Sequence, residues 1–427
     1  MSNQSPPSVV LVGSGSHGDV NPLIDISLQL KQSEITPIIL TNDVYRDQIN
    51  DLSIKFISTG SASEYEKSLR LEESNPSSIR YRNLFQEYIV PTYLREYVRT
   101  RDLLKTIPKP LVASPARVNG AMLASLETNT KYLKLTLSPC NYEFNDTTTK
   151  WLYKKFPNES INSRLKRSIF GYKTKYHMYK QVEWMLKIIH NNTTSPNFSY
   201  FKIMRFMASN LYDEIGLFPE WLLNCTSSNP EPTCGALGFT NVMDPPMEST
   251  LPNKIQNFLK KFPHPIIFTC GTNVKEANKF FSDAEVILKK LERPGIFLSK
   301  HQTSFSTSFD QILKLNYTPL RPLLLVSDAI IHHGGIGTCA EALYAGIPQY
   351  IRPVEFDQFD NARRLSEIGV AMSQPASNFD INKAVNDITY MLSNTPTKDS
   401  ISCYSKKTRE SNSLNNICNH IVTSLER

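Results

Sequence analysis

The chain begins with a short apolar run, a glycine-rich turn and an amphipathic segment. The apolar run is Ser8–Val12, the turn is Gly13–Gly18, and apolar residues recur at helical spacing over Leu23–Leu30. Asn21 suits the N-cap of this helix, and Pro22 suits its first position. The pattern predicts a strand, a tight turn and a helix in that order.

Short apolar runs continue this alternation through the first half of the chain. They have the pattern of buried parallel strands, and a mostly helical, aromatic-rich stretch separates the first pair from the second. The runs lie at 37–40, 54–57, 110–113 and 132–135, and the helical stretch lies at 78–104. We therefore predict one α/β domain over residues 1–240, with a helical insertion at about 145–215.

A segment rich in proline and polar residues, 241–252, has the composition of a linker, and the alternation restarts beyond it. Apolar runs lie at 265–268, 295–298, 323–331 and 348–353, with a helical pattern at 280–291. They predict a second α/β domain over residues 253–427, and its last helix is a candidate to return to the first domain. Two such domains leave a cleft between them, where ligands commonly bind.

Composition narrows the class of protein. The 427 residues are 40% hydrophobic and 20% charged, which is typical of globular enzymes. No apolar run reaches the roughly 18–20 residues of a membrane span, and the first residues lack the pattern of a signal peptide, so we expect a cytoplasmic protein. Seven scattered cysteines without a CxxC pair argue against a disulfide framework and a structural zinc site.

The segment 329–343 is the most informative about function. In it an apolar strand leads into His332, His333 and a glycine-rich turn before a helix. Backbone N–H groups and the positive end of the helix dipole meet at such a turn, which makes it an anion site. Glycines permit close approach of a diphosphate, and His333 can hydrogen-bond to it or neutralise its charge.

Here the sequence resembles the nucleotide-sugar glycosyltransferases. The pattern His333-x-Gly335-x-x-Thr338-x-x-Glu341, followed by Gly346-x-Pro348 and Asp357-Gln358, is similar to their donor-binding signature, and Tyr317-x-Pro319 precedes it as in bacterial and sterol-type members. The resemblance implies the GT-B fold, in which two Rossmann-like parallel-sheet domains of the α/β class face each other across a cleft.

The resemblance also implies roles for single residues in binding the donor. Tyr317 would border the nucleobase, Glu341 would accept the ribose hydroxyls, and Asp357 with Gln358 would bind hydroxyls of the sugar. The diphosphate would be held by His333 and by backbone groups of the glycine-rich turn and of a second loop, which are Gly335, Gly337, Thr338, Gly271 and Thr272. A plainer alternative is that Thr338 and Glu341, at capping-box spacing, only begin a helix.

The first glycine-rich turn admits two functional interpretations. Gly13, Gly15 and Gly18 match GxGxxG, and Asp43 follows the next strand where a dinucleotide-binding domain has its ribose-binding acid. The same turn also resembles the GSxGDVxP loop of the glycosyltransferases, through Gly15, Ser16, Gly18 and Asp19. That resemblance implies that Asp19 is the general base on the acceptor side.

An inverting transfer needs a base that takes the acceptor's proton while the hydroxyl attacks the anomeric carbon. Asp19 is the first candidate for this role. His17 is a second candidate, since a neutral imidazole is competent near pH 7. The plainer alternative is that Asp19 is a solvated carboxylate near a helix N-terminus.

The sequence contains no Asp-x-Asp, so it offers no evident ligand set for a carboxylate-held divalent metal. We expect a metal-independent enzyme without a cofactor, whose co-substrate is a sugar linked to UDP or dTDP.

The segment 151–190 interleaves aromatic rings with basic residues, and ten Lys and Arg stand between Lys150 and His190 against only Glu159 and Glu183. Such a segment is a candidate for peripheral contact with the inner face of an anionic membrane. The plainer alternative is a helical insertion whose rings pack inward. Nucleic acid is not expected as a partner, because the rest of the chain has no matching basic surface.

These observations predict an inverting hexosyltransferase acting on a hydroxyl of a small hydrophobic, natural-product or lipid acceptor. Three alternatives stay open at this point. They are an NAD(P)- or flavin-dependent oxidoreductase using the first glycine-rich turn, a sugar-nucleotide epimerase, and a catalytically idle nucleotide-sugar binding protein.

Overall fold

The computed structural model describes most of both halves of the chain. The described residues are 6–74, 83–115, 119–142, 187, 191, 213–223, 236–240, 251–271, 277–299, 309–316, 318–355 and 357–426. The predicted insertion at 145–215 and the predicted linker at 241–252 lie outside them, apart from 187, 191, 213–215 and 251–252. Their structures therefore stay predictions.

The chain divides into two compact units. The first comprises Met1–Ser14, Ser27–Gly216 and His420–Arg427, and the second comprises Gly15–Ile26 and Leu217–Asn419. The first half of the first helix is thus grouped with the second half of the chain. No described helix is long and apolar enough to cross a membrane.

The first unit contains a six-stranded parallel sheet in the order β3-β2-β1-β4-β5-β6. The strands are β1 (Ser8–Val12), β2 (Thr36–Asn42), β3 (Lys55–Gly60), β4 (Leu111–Ser114), β5 (Lys131–Thr136) and β6 (Asp213–Gly216). The helices that begin in this part of the chain are α1 (His17–Gln32), α2 (Arg46–Asp51), α3 (Ala62–Ser74), α4 (Val90–Leu104), which follows a π-helical turn at Phe85–Ile89, α5 (Gly120–Thr128) and α6 (Pro139–Tyr142).

The second unit contains a second six-stranded parallel sheet, in the order β12-β11-β10-β7-β8-β9. The strands are β7 (Ile266–Thr269), β8 (Gly295–Leu298), β9 (Ile312–Leu315), β10 (Ala329–His332), β11 (Gln349–Ile351) and β12 (Ala371–Ser373). The helices are α7 (Glu220–Leu223), α8 (Asn253–Lys261), α9 (Ala277–Leu291), α10 (Leu320–Leu324), α11 (Ile336–Ala345), α12 (Gln358–Glu367), α13 (Ile381–Ser393), α14 (Thr395–Arg409) and α15 (Ser413–Glu426).

The apolar strands pair in register because both of their faces are covered. Val10 and Val12 of β1 pack in one buried cluster with Tyr97 of α4 and Met122 of α5. In the second sheet, helices pack on one face through Phe268 and Phe281 and on the other through Ile267 and Leu323. This double covering explains the continuous apolar runs in the sequence.

Helix α15 crosses the division between the units. Residues 420–426 are grouped with the first unit, where the His420 ring lies 2.7 Å from an Asp213 carboxylate oxygen of β6 and Lys131 donates to the Ser424 carbonyl. Residues 420–426 are therefore a structural part of the unit that contains β1.

Two details of the sequence prediction are wrong. Helix α1 begins at His17, not at Pro22, because Ser16 and Asp19 cap it, and Pro22 lies inside the helix. The apolar run 323–331 is not one strand, since its first residues complete α10 and β10 begins only at Ala329.

Candidate active site

The candidate donor site lies where the strand order of the second sheet reverses, between β7 and β10. Loops that leave the carboxyl ends of neighbouring parallel strands converge at such a point, and ligands bind there. The loops bring together most of the predicted donor residues, which are Gly271 after β7, His333 and Gly335 after β10, Gly337 and Thr338 at the start of α11, and Asp357 and Gln358 after β11.

His333 is held between two glycines. A Cβ added to Gly271 would lie 2.5 Å from His333 Cε1, and one added to Gly335 would lie 2.7 Å from His333 Nε2. Gly271 also has φ +74°, which disfavours residues with a side chain. Both positions therefore need glycine in order to admit the imidazole.

The His333 imidazole is neutral at physiological pH, because burial lowers its pKa to about 4. Its Nδ1 is buried and has no hydrogen-bond partner in the part of the chain that the structure describes. Buried polar atoms are rarely left unpaired, and those that are often mark a place for a ligand or for water. The ring thus offers hydrogen bonding rather than a fixed positive charge, and an incoming anion would raise its pKa.

His332 has a structural role that the sequence analysis missed. Its Nδ1 accepts the Gly334 N–H at 3.1 Å, so Nε2 carries the proton and donates to Gln349 Oε1 at 3.1 Å. The Gln349 side chain in turn donates to the Cys339 carbonyl at 3.3 Å. His332 is fully buried, and burial lowers its pKa to about 3. It fixes the turn in which His333 stands.

The N-terminus of α11 has the features of a candidate anion site. Its N-cap is Gly335, which has no side chain to bond the first turn, and Gly337 and Thr338 lie within that turn. Backbone N–H groups and the positive end of the helix dipole therefore face the turn after β10. The capping-box alternative for Thr338 and Glu341 is wrong, because the cap is Gly335 and Glu341 lies in the second turn.

Glu341 is engaged in an ion pair that the sequence did not reveal. Arg321 Nε lies 2.8 Å from Glu341 Oε2, and Arg321 Nη2 lies 2.9 Å from Glu341 Oε1. The Arg321 side chain is 7% exposed and the Glu341 side chain 15% exposed. The carboxylate is thus held in the plane of the guanidinium and is mostly buried.

Asp357 and Gln358 lie at the start of α12. Asn361 donates to Asp357 Oδ2 at 2.9 Å and to the Gly334 carbonyl at 3.0 Å, which joins the two loops. Gln358 Oε1 accepts two backbone N–H groups of residues 354–355. Its carboxamide oxygen therefore stabilises the loop.

The loop after β1 is closed by its own carboxylate. Asp19 Oδ2 accepts the Ser16 N–H at 2.8 Å and the Ser16 hydroxyl at 3.0 Å, while Ser16 Oγ accepts the Gly18 N–H at 3.2 Å. This is a capping box at the start of α1, where His17 is the first helical residue. Gly15 has φ +142°, and a Cβ there would lie 2.4 Å from Asp19 Oδ2.

Asp19 is grouped with the second unit and lies within electrostatic reach of Asp357. Burial raises the pKa of Asp19, its bonds with Ser16 lower it, and the Asp357 carboxylate raises it further. A carboxylate with a raised pKa is a stronger base than an exposed one. The structure thus brings Asp19, the candidate base, near Asp357, a candidate sugar-binding residue that is distant in the sequence.

Two predicted donor residues, Thr272 and Tyr317, lie outside the described residues. Among the residues that are described, no group of three or more His, Cys, Asp or Glu could hold a metal ion. The absence of a metal requirement stays a prediction.

Comparison with known sequences gives matches to a family model and to short segments of known proteins. The family of the erythromycin biosynthesis protein CIII-like C-terminal domain matches residues 282–426. The elloramycin glycosyltransferase ElmGT of Streptomyces olivaceus is 41% identical over 58 residues, which are 14% of this chain and 15% of that protein. A sterol 3-beta-glucosyltransferase of Komagataella phaffii is 41% identical over 63 residues, which are 14% of this chain and 5% of that protein. The matched segments thus span less than a fifth of these relatives.

Solved structures match the fold over nearly the whole chain. The glycotransferase of kitacinnamycin has a TM-score of 0.71 at 13% identity, covering 99% of this chain and 100% of that one. The glycosyltransferase VinC, solved in complex with dTDP, has a TM-score of 0.66 at 15% identity, covering 98% of this chain and 100% of that one. The two parallel six-stranded sheets are therefore those of the GT-B fold, and the predicted fold class and resemblance are confirmed.

Proposed function

We propose that this chain is a glycosyltransferase that moves a hexose from a UDP- or dTDP-linked donor to a hydroxyl of an acceptor. The proposal rests on one contrast between its two strand–turn–helix sites. The N-terminus of α1 is capped by the Asp19 carboxylate, whereas the N-terminus of α11 has a glycine cap and His333 with an unpaired nitrogen beside it. Only the second arrangement suits an anionic ligand.

The same contrast argues against an oxidoreductase. A dinucleotide-binding turn places a pyrophosphate at the helix N-terminus, where Asp19 Oδ2 already accepts two hydrogen bonds from Ser16. Asp43, the candidate ribose-binding acid, is paired with Arg46 at 2.7 Å. The glycine-rich turn after β1 thus suits a catalytic carboxylate better than a bound phosphate.

The proposed donor site stabilises the leaving nucleoside diphosphate without a metal. Backbone N–H groups at the start of α11 and the His333 imidazole would hydrogen-bond to the phosphate oxygens as the glycosidic bond breaks. Gly271, Gly335 and Gly337 permit close approach of the phosphates, and the Gln358 NH₂ group with Asp357 would bind sugar hydroxyls. No cofactor is needed, because the nucleotide itself carries the activated sugar.

The proposed transfer inverts the anomeric carbon. Asp19 takes the proton of the acceptor hydroxyl, the hydroxyl oxygen forms a bond to the anomeric carbon, and the bond from that carbon to the diphosphate oxygen breaks. The electron pair of the broken bond leaves with the nucleoside diphosphate. Oδ1 is the Asp19 oxygen suited to this task, since Oδ2 is held by Ser16.

The acceptor class is proposed by analogy with the named relatives. ElmGT is an elloramycin glycosyltransferase and the Komagataella phaffii protein is a sterol 3-beta-glucosyltransferase. Both names suit the small hydrophobic, natural-product or lipid acceptor expected here. Membrane contact through 151–190 stays a prediction, because all of that segment except Lys187 lies outside the described residues. The cytoplasmic location also stays a prediction.

Calorimetric titration with UDP, dTDP, UDP-glucose, NADH and NADPH tests the donor site. The wild type is expected to bind a nucleoside diphosphate, and His333→Ala is expected to weaken that binding by about tenfold or more, since one hydrogen bond to a charged group is lost. Tyr390→Ala, which removes an exposed ring on α13, is the control and should bind as the wild type does. Binding of NADH or NADPH alone, unaffected by His333→Ala, would contradict the proposal.

A second measurement separates an enzyme from an idle binding protein. Asp19→Asn should retain donor binding and lose both transfer and the slow release of UDP from UDP-glucose in water. If Asp19→Asn turns over as fast as the wild type, Asp19 is not the base. Full activity after treatment with a chelator is expected, and a need for added Mg²⁺ or Mn²⁺ would contradict metal independence.

A further inference from the structure

A cavity opens at the edge of the second sheet opposite the candidate donor site. Its volume is about 740 Å³, within the range of sites for small organic ligands. Asp328 and Pro348, which line it, directly precede β10 and β11, whereas the donor loops follow the same strands. The length of β10 separates the two edges by about 13 Å. The cavity is therefore distinct from the donor site, and its lining residues all belong to the second unit.

One face of α14 supplies polar side chains to this cavity. Lys398, Ser402 and Lys406 are spaced by four positions, so they lie on consecutive turns of the same helix face. The two lysines are about 12 Å apart along the helix axis, and Ser402 lies midway between them. Both lysine side chains are exposed. Their flexible stems allow both ammonium groups to reach a ligand bound near Ser402.

The cavity has an excess of positive charge. Its charged lining residues are the four basic residues Arg293, Lys398, Lys406 and Arg409 and the two acidic residues Asp328 and Glu410. Arg293 is paired with Asp328 at 2.9 Å, whereas Lys406 lies 3.8 Å from Glu410 and both side chains are exposed. Such an exposed pair contributes little. Lys398 has no carboxylate partner in the part of the chain that the structure describes.

The C-terminus of α11 also borders the cavity, and its carbonyl groups are already bonded. Arg409 Nε donates to the Tyr344 carbonyl at 2.7 Å, and Arg409 Nη2 donates to the Ala345 carbonyl at 3.2 Å. The Ser405 hydroxyl donates to the Tyr344 carbonyl at 3.2 Å. The negative end of the helix dipole would otherwise repel an anion, and these bonds offset it.

Another part of the lining is apolar. Met391 and Leu392 lie in the last turn of α13, and Ile347 and Pro348 follow α11. Met391 and Ile347 are buried, whereas Leu392 and Pro348 are partly exposed and offer apolar surface to a ligand. A ligand that suits the whole cavity thus combines an anionic head group with an apolar body.

We propose that this cavity binds an organic phosphate, a phosphate monoester with an apolar body, whose head group lies between Lys398 and Lys406 and accepts a hydrogen bond from Ser402. A phosphate monoester carries a charge of about −1.5 to −2 and three acceptor oxygens, which match two ammonium groups and one hydroxyl. The apolar body packs on Leu392 and Pro348. The site is separate from the donor site and does not depend on the proposed function.

Calorimetric titration with hexyl phosphate, with and without an excess of UDP, tests the inference. The wild type is expected to bind hexyl phosphate in both cases. Inorganic phosphate should bind at least tenfold more weakly, because it lacks the alkyl chain that buries apolar surface. The double variant Lys398→Gln/Lys406→Gln should bind hexyl phosphate about tenfold or more weakly, because two hydrogen bonds to a charged group lose their cationic donors.

Lys407→Gln is the matched control. Lys407 lies on the same helix and makes the same change of charge, but it does not line the cavity. Its affinity for hexyl phosphate should equal that of the wild type. The substituted lysines are exposed, so the variants are expected to fold, and equal melting temperatures of the wild type and the variants would verify this.

Sedimentation with vesicles distinguishes a free ligand from a lipid head group. Vesicles of phosphatidic acid in phosphatidylcholine that sediment the wild type, but not Lys398→Gln/Lys406→Gln, would identify a lipid phosphate as the ligand. Binding of hexyl phosphate without sedimentation would identify a soluble one. Three results would overturn the inference: no binding of hexyl phosphate, binding that UDP abolishes, or an affinity that the double variant leaves unchanged or that Lys407→Gln lowers as much.

Discussion

Replacing Glu96 by glutamine is expected to change the pH dependence of stability in a defined direction. Glu96 of α4 is 1% exposed, and its Oε1 accepts the Ser14 hydroxyl at 2.6 Å. Its Oε2 is buried without a hydrogen-bond partner among the described residues. Burial raises the pKa of Glu96 from 4.5 to about 7, against the lowering effects of Ser14, the Gly120 N–H and Arg95.

The raised pKa fixes the sign of the effect. Between pH 4.5 and about 7 the folded chain holds a proton on Glu96 that the unfolded chain releases, so the free energy of unfolding falls as the pH rises through this window. At about 1.4 kcal/mol per pH unit, the loss amounts to about 3 kcal/mol. Glutamine cannot ionise and removes this loss, while its buried NH₂ group costs about 1 kcal/mol at every pH.

Urea unfolding of the wild type and of Glu96→Gln, at intervals from about pH 5 to pH 8, measures the difference. The variant is expected to gain about 2 to 3 kcal/mol relative to the wild type across this range. Glu64→Gln is the control, because the Ser61 N–H and the charge of Arg95 hold the pKa of Glu64 below its ordinary value, so that its difference from the wild type should stay constant across this range. A constant difference between wild type and Glu96→Gln at all pH values would refute the assignment of this titration to Glu96.

Three further predictions concern the candidate site. Gly271→Ala should displace the His333 ring and weaken binding of UDP in calorimetry by about tenfold or more, and an unchanged affinity would show that the ring tolerates a Cβ at 2.5 Å. Gly15→Ala should displace the Asp19 carboxylate. It should lower the rate of UDP release from UDP-glucose by about tenfold or more and have little effect on UDP binding. A variant that loses UDP binding but not the rate of release would argue against Asp19 as the base. The affinity for UDP should fall as the pH rises through about 7. Burial and the Glu341 carboxylate raise the pKa of Asp25, a buried residue of α1, to about 7, and the ionised Asp25 adds a negative charge that competes with Glu341 for Arg321. Asp25→Asn should abolish this fall, and a fall of equal size in Asp25→Asn would assign it to another group.

Much of the fold could be predicted because both sheets are parallel and covered on both faces. Continuous apolar runs marked the strands from β1 to β5 and again β7, β8, β10 and β11. The strands β6, β9 and β12 were not predicted. β6 begins with two acidic residues, β12 has only two apolar residues before Ser373, and β9 is only partly buried, so that the apolar run that identifies a buried strand is missing.

Those parts of the candidate site that are formed by residues close together in the sequence could be predicted. Those that depend on residues distant in the sequence could not. The anion site in the turn after β10 could be predicted, because its glycines lie between a strand and a helix in the sequence. The bond pattern that makes His332 structural depends on Gln349 in the next strand. The partner of Glu341 is Arg321 on another helix, and no periodicity connects the two residues.

The early start of α1 had a signal in the sequence that favoured the wrong residue. Ser16-x-x-Asp19 has the spacing of a capping box, but Asn21-Pro22 matches the more familiar beginning of a helix. The side chain of Asp19 decides between them, because it bonds to the N–H and hydroxyl of Ser16. A carboxylate expected to act in catalysis thus also sets where the helix begins.

The grouping of residues 420–426 with the first unit limits how this chain can be cut and recombined. A fragment that ends near residue 240 would expose the faces of Asp213 and Lys131 that His420 and Ser424 cover. Hybrid proteins that exchange the first unit between relatives should therefore transfer the last turns of α15 together with it. The first unit is in this sense discontinuous along the chain, since residues 217–419 separate its last piece from the rest.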